Sequence, residues 1–79
     1  MVIVSSDKEK LVNFDNVVAL WIDYPDYDID NVIYTVTAET DCVNVELGKF
    51  NSLERAKEIL NGIMEFYIEH LDCYAVPEE

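Results

Sequence analysis

Gly48-Lys49-Phe50-Asn51-Ser52-Leu53-Glu54-Arg55-Ala56-Lys57-Glu58-Ile59-Leu60-Asn61-Gly62-Ile63-Met64-Glu65-Phe66-Tyr67-Ile68-Glu69-His70-Leu71 decides the fold. Leu53, Ala56, Ile59, Leu60, Ile63, Met64, Tyr67, Ile68 and Leu71 recur at helical spacing and form one broad apolar face. Glu54, Glu58, Glu65 and Glu69 take the opposite side. The pattern predicts a helix over about 52–71. Gly48 is read as the end of the strand before it. Asn51 is the expected N-cap, which sets Glu54 at the third helical position, where a capping box closes reciprocally. Glu65, Glu69 and Asp72 stand at the end where the helix dipole disfavours anions, each costing about 0.3–1 kcal/mol when exposed.

Upstream of this helix the chain reads as short strands, at about 1–5, 11–14, 17–22, 32–38 and 42–47. Val17-Val18-Ala19-Leu20-Trp21-Ile22 is apolar on both faces, the mark of a strand covered on two sides. Val32-Ile33-Tyr34-Thr35-Val36-Thr37-Ala38 is rich in β-branched and aromatic residues. Cys42-Val43-Asn44-Val45-Glu46-Leu47 alternates, with Val43, Val45 and Leu47 inward. Downstream, Asp72-Cys73-Tyr74-Ala75-Val76-Pro77 returns along the sheet. The expected fold is α+β, one domain over 1–79, with a small antiparallel sheet of four to five strands packed by one long C-terminal helix.

A single helix covers one face of a sheet, yet the strands supply apolar residues to both. Val17, Ala19 and Trp21 oppose Val18, Leu20 and Ile22; Val32, Tyr34 and Val36 oppose Ile33, Thr35 and Thr37. Burying the second face needs a second protomer, a partner or a strongly curled sheet. Val17, Ala19, Trp21, Val32, Tyr34 and Val36 are therefore the candidate interface, and a homo-oligomer, a dimer first, is the expected assembly. Trp21 and Tyr34 would be its aromatic anchors.

Charge narrows the partners. Seventeen Asp and Glu face five Lys and Arg, a net charge of -12, on a chain that is 51% hydrophobic and so is no disordered acidic tail. Such a field repels nucleic-acid backbone and favours basic proteins. Direct nucleic-acid binding and membrane insertion are not expected. Two cysteines, Cys42 and Cys73, make no disulfide framework and fit a reducing cytoplasmic setting. No basic run precedes an apolar block, so a secretory signal is not expected.

Several blocks carry a resemblance: Ile3-Val4-Ser5-Ser6-Asp7, Leu11-Val12-Asn13-Phe14-Asp15-Asn16-Val17, the run from Leu47 to Leu60, and Tyr74-Ala75-Val76-Pro77. In this order they resemble a group of small proteins of Gram-positive bacteria and their phages or mobile elements. The resemblance implies a β-rich first part and a C-terminal helix, and no activity. The stretch Asp23–Asp30 lies outside it.

Motifs for chemistry are weak. Asp26, Asp28 and Asp30 have the spacing that opens a calcium loop, but Asn31 replaces the turn glycine and Thr37 the bidentate glutamate. Cys42, His70 and Cys73 fit no compact zinc spacing. His70 and Cys73, three apart at a helical spacing, could form a nucleophile pair, but nothing supplies a third group or an oxyanion site. No phosphate loop or dinucleotide fingerprint is present. No cofactor, metal or catalytic residue is expected.

The leading reading is a small acidic, non-enzymatic protein-interaction module that self-associates through its sheet. One alternative is a small enzyme using an unidentified site. The other is a phage or mobile-element inhibitor that mimics DNA charge and blocks a basic, nucleic-acid-binding host protein. Its rows would be Asp23, Asp26, Asp28 and Asp30 in the loop and Glu54, Glu58, Glu65 and Glu69 on the helix. Helical residues four apart lie about 6 Å apart, near the phosphate spacing.

Overall fold

The computed structural model describes residues 1–25 and 32–78. The elements run β1 (Val2–Val4), β2 (Leu11–Asn13), a 3-10 turn (Phe14–Asn16), β3 (Val17–Asp23), β4 (Tyr34–Thr40), β5 (Asn44–Phe50), α1 (Leu53–Ile68) and β6 (Cys73–Ala75). The class is α+β. The strands divide into two three-stranded sheets, β2-β1-β6 and β3-β4-β5, both packed with the helix. The tail returns as β6, parallel to β1, while the other pairings are antiparallel.

The core lies where the three layers meet. Ile3, Val12, Tyr74 and Val76 come from the first sheet and its tail, Val36, Ala38, Leu47 and Phe50 from the second, and Ala56, Ile59 and Ile63 from the helix. Each large apolar side chain so buried contributes about 1.5–3 kcal/mol. Ser6 N–H donates to the Leu47 carbonyl at 2.8 Å, tying the two sheets together. Two glycines allow close approach. A Cβ on Gly48 would lie 3.0 Å from the Phe50 ring and 3.1 Å from Val76. One on Gly62 would meet the Tyr74 ring at 3.0 Å and its hydroxyl at 2.7 Å, which explains a glycine inside a helix where alanine is normally better by about 1 kcal/mol.

Two bulges change the faces expected from simple alternation. In β3, Val17 pairs with Thr40 and Ala19 with Glu39, leaving Val18 extra. In β5, Gly48 pairs with Val36 and Glu46 with Thr37, leaving Leu47 extra. A bulge shifts the side-chain phase by one residue. Val17 therefore joins Leu20 and Ile22 on the helix side, and Leu47 and Phe50, three apart, both reach the core. Val43, expected inward, precedes β5 and is exposed. It sits in the Thr40–Val43 turn, where Thr40 Oγ1 donates to the Val43 carbonyl at 2.8 Å. Val32 and Ile33 lie before β4 and are also exposed.

The helix ends differ from expectation. Its N-cap is Ser52, not Asn51: the Ser52 hydroxyl accepts from the Arg55 N–H at 3.1 Å. Arg55 thus holds the third position and the Glu54 capping box does not form. The helix stops at Ile68 rather than Leu71 in a Schellman turn. His70 N–H donates to the Tyr67 carbonyl at 3.1 Å, and Leu71 N–H to the Phe66 carbonyl at 3.0 Å. His70 sits at φ 59, where glycine is usual, so the histidine has a helix-terminating place.

Candidate functional site

The most distinctive surface is an apolar groove of about 340 Å³ between α1 and β3, lined by Phe14, Leu20, Leu60, Ile63, Met64 and Tyr67. The 3-10 turn ahead of β3 brings Phe14 onto Tyr67, ring centroids 4.9 Å apart. Leu20 rises from β3 on the helix side. Leu60, Ile63, Met64 and Tyr67 come from adjacent helical turns. Ile63 is fully buried at the floor, while Met64 is 56% and Tyr67 53% exposed. Ile68, one turn beyond Met64, extends the apolar stripe at 64% exposure.

Charge is distributed unevenly around this groove. At about 100° per residue, Glu54, Glu58 and Glu65 fall on the flank turned away from it. Lys57 is the polar helix residue turned nearest its rim. The β3 wall from Val17 to Ile22 carries no charge. β3 is an outer strand of its sheet, and no further strand pairs with it among the described residues.

The expected interface set is split by the sheet. Tyr34 and Val36 pair with Phe50 and Gly48 on the helix side, and Val36 is fully buried. Val17 is on that side too. Ala19 and Trp21 face the other way, and Val32 lies outside the strand. These six residues therefore form no common surface: the Val18 bulge turns Val17 away from Ala19 and Trp21, and the β3–β4 register sets Trp21 opposite Thr37, out of phase with Tyr34. On the open face, Asp23 accepts from Trp21 Nε1 at 2.8 Å and from Thr37 Oγ1 at 2.7 Å, so the face is polar at its centre.

The acidic candidates are separated. Asp23 is engaged by Trp21 and Thr37. Glu54, Glu58, Glu65 and Glu69 are exposed, with Glu58 3.9 Å from Arg55. Asp26, Asp28 and Asp30 lie outside the described residues. His70 and Cys73 share no helix, since the chain leaves α1 before both. Cys42 and Cys73 are free and exposed. Among the described residues no three His, Cys, Asp or Glu side chains gather in a metal-binding group, and no helix is long and apolar enough to cross a membrane.

A second cleft, about 290 Å³, lies between the β1–β2 turn and β5, and its cations are already matched. Lys10 Nζ is 3.2 Å from Asp7 and Lys49 Nζ is 3.6 Å from Glu46. Asp7 titrates at about 2, lowered first by the Ser5 hydroxyl, then by the Glu9 N–H and Lys10. Tyr74 shifts upward, mainly because burial penalises its phenolate. Both effects belong to scaffold groups.

Sequence reasoning missed Phe14 and Leu20 as groove residues. Their signal was the width of the apolar helix face, which runs from Ala56 and Ile59 round to Met64 and is more than one sheet covers. The chain matches no protein-family profile, no curated protein and no solved structure.

Proposed function

We propose that this chain is a small acidic, non-enzymatic protein-interaction module that docks through the groove between α1 and β3. The observation that supports this reading is the position of the groove beside an outer strand, where exposed Met64 and Tyr67 meet an uncharged wall. An apolar recess with an aromatic anchor is a common centre for protein contacts. The reading sets the module in a reducing cytoplasm, with both thiols free, and keeps the small Gram-positive and phage proteins as its relatives.

Tagged protein used for capture from cell lysate separates this reading from charge mimicry. The wild type is compared with a Met64→Glu/Tyr67→Glu variant and a Glu54→Gln/Glu58→Gln/Glu65→Gln variant. Docking through the groove loses bound polypeptides, second copies included, in the first variant and keeps them in the second. The opposite pattern assigns binding to the carboxylates and sinks the groove reading in favour of a DNA-charge mimic.

A further inference from the structure

We infer that the groove's partner is a second copy of this chain, joined antiparallel along β3 so that the two grooves face each other. The inference rests on the docking reading above and adds its occupant.

Three observations converge. First, β3 is seven residues long, contains no Pro, Gly or Lys, carries its one charge at its last residue, Asp23, and is an outer strand with no strand paired on its far side among the described residues. Such an edge is a template for another strand, although the Val18 bulge shortens its regular part. Second, Leu20 belongs both to that edge strand and to the groove wall, so one contact serves both features. A twofold axis perpendicular to the sheet pairs β3 with β3 antiparallel and keeps both helices on the same side. Met64 and Tyr67 of the two copies then approach across the joint. Third, charge favours this occupant over a basic peptide. Carboxylates that would draw a basic segment, Glu54, Glu58 and Glu65, lie on the far flank of the helix. The groove side offers the uncharged stretch Val17–Ile22 and, on the helix, the cation Lys57, a window free of helix carboxylates through which two copies of net charge -12 can approach.

The test is sedimentation equilibrium of the wild type, Val18→Glu and Met64→Glu at about 0.1 M and 1 M NaCl, where screening shortens from about 10 Å to about 3 Å. Val18 is 61% and Met64 56% exposed, so both variants keep the fold, as circular dichroism will check. The wild type should reach twice the 9.1 kDa chain mass, with tighter association at high salt. Each variant should weaken association about tenfold or more. Amide exchange of the dimer should protect β3 positions that exchange freely in Val18→Glu. A wild type that stays monomeric at both salts overturns the second-copy inference, while the capture pattern still judges the groove. A dimer insensitive to both variants, or one with unprotected β3 amides, overturns the edge pairing.

Discussion

Both outer strands of the β3-β4-β5 sheet carry a bulge, at Val18 and at Leu47, yet among the described residues only one edge is closed. At β5 the bulged residue is fully buried, and its carbonyl accepts from Ser6 at 2.8 Å. Gly48 beside it lets the Phe50 ring and Val76 approach. At β3 the bulged residue is 61% exposed, and Ala19 beside it is exposed as well. The same backbone irregularity seals one edge against the first sheet and, among the described residues, leaves the other without a cover. What differs is the neighbour: β5 has the β1–β2 turn and the C-terminal tail against it, and β3 has a groove.

The largest expected effect tests the closed edge. Leu47→Ala should lose about 2–5 kcal/mol of stability in urea unfolding, because the cavity opens in the core beneath both sheets. A loss under 1 kcal/mol would mean that the edge is held by the backbone bond to Ser6 alone. Gly48→Ala comes next. Its Cβ would stand 3.0 Å from the Phe50 ring and 3.1 Å from Val76, so both side chains must shift in a filled core, and overpacking should cost about 1–3 kcal/mol by the same assay. An unchanged midpoint would show that Val76 moves aside and the tail is loosely seated.

The β1–β2 turn that delivers Ser6 to this edge supplies a pH-dependent test. Ser5 Oγ donates to Asp7 at 2.5 Å and Glu9 N–H at 3.0 Å, with Lys8 in the left-handed region at φ 62. The carboxyl titrates lower in the folded chain, at about 2, than the ordinary 3.8. Its contribution is therefore complete above pH 3.8 and is lost as pH falls through about 2. Exchange of the Ser6 amide should stay slow to about pH 3 and accelerate below it, relative to its intrinsic rate. In Asp7→Asn that acid step should be absent.

The smallest effect belongs to the open edge. Val18→Thr should change stability by no more than about 0.5 kcal/mol, as an exposed bulge has few contacts to lose. Thermal unfolding measured at low protein concentration, where association is minimal, checks it. A larger loss would show that the β3 edge is covered within one chain and would remove the contrast between the edges.

The helix shows how far reading the order of residues reaches. The face containing Ala56, Ile59 and Ile63 was legible because its spacing is local. Its cap was misplaced by one residue because Asn51 and Ser52 both make good caps, and the choice follows from how β5 delivers the chain after Phe50. His70 falls near the end of the helix predicted over about 52–71. That it ends the helix in a left-handed turn was not legible, since no glycine or proline marks the place.

Residue order alone therefore established the α+β class, the helix, the strands' approximate places and the strongly acidic surface, since all follow from composition and short-range periodicity. Only the tertiary structure decided the two bulges, the division into two sheets and the site. A one-residue bulge leaves no signature in alternation until its partner strand is known, and it reverses every face beyond it. Trp21 and Tyr34, expected on one surface, lie on opposite faces because the β3–β4 register sets Trp21 against Thr37, three residues from Tyr34. Phe14 and Leu20, far from Met64 and Tyr67 in the chain, come to share one groove only when the helix packs across β3.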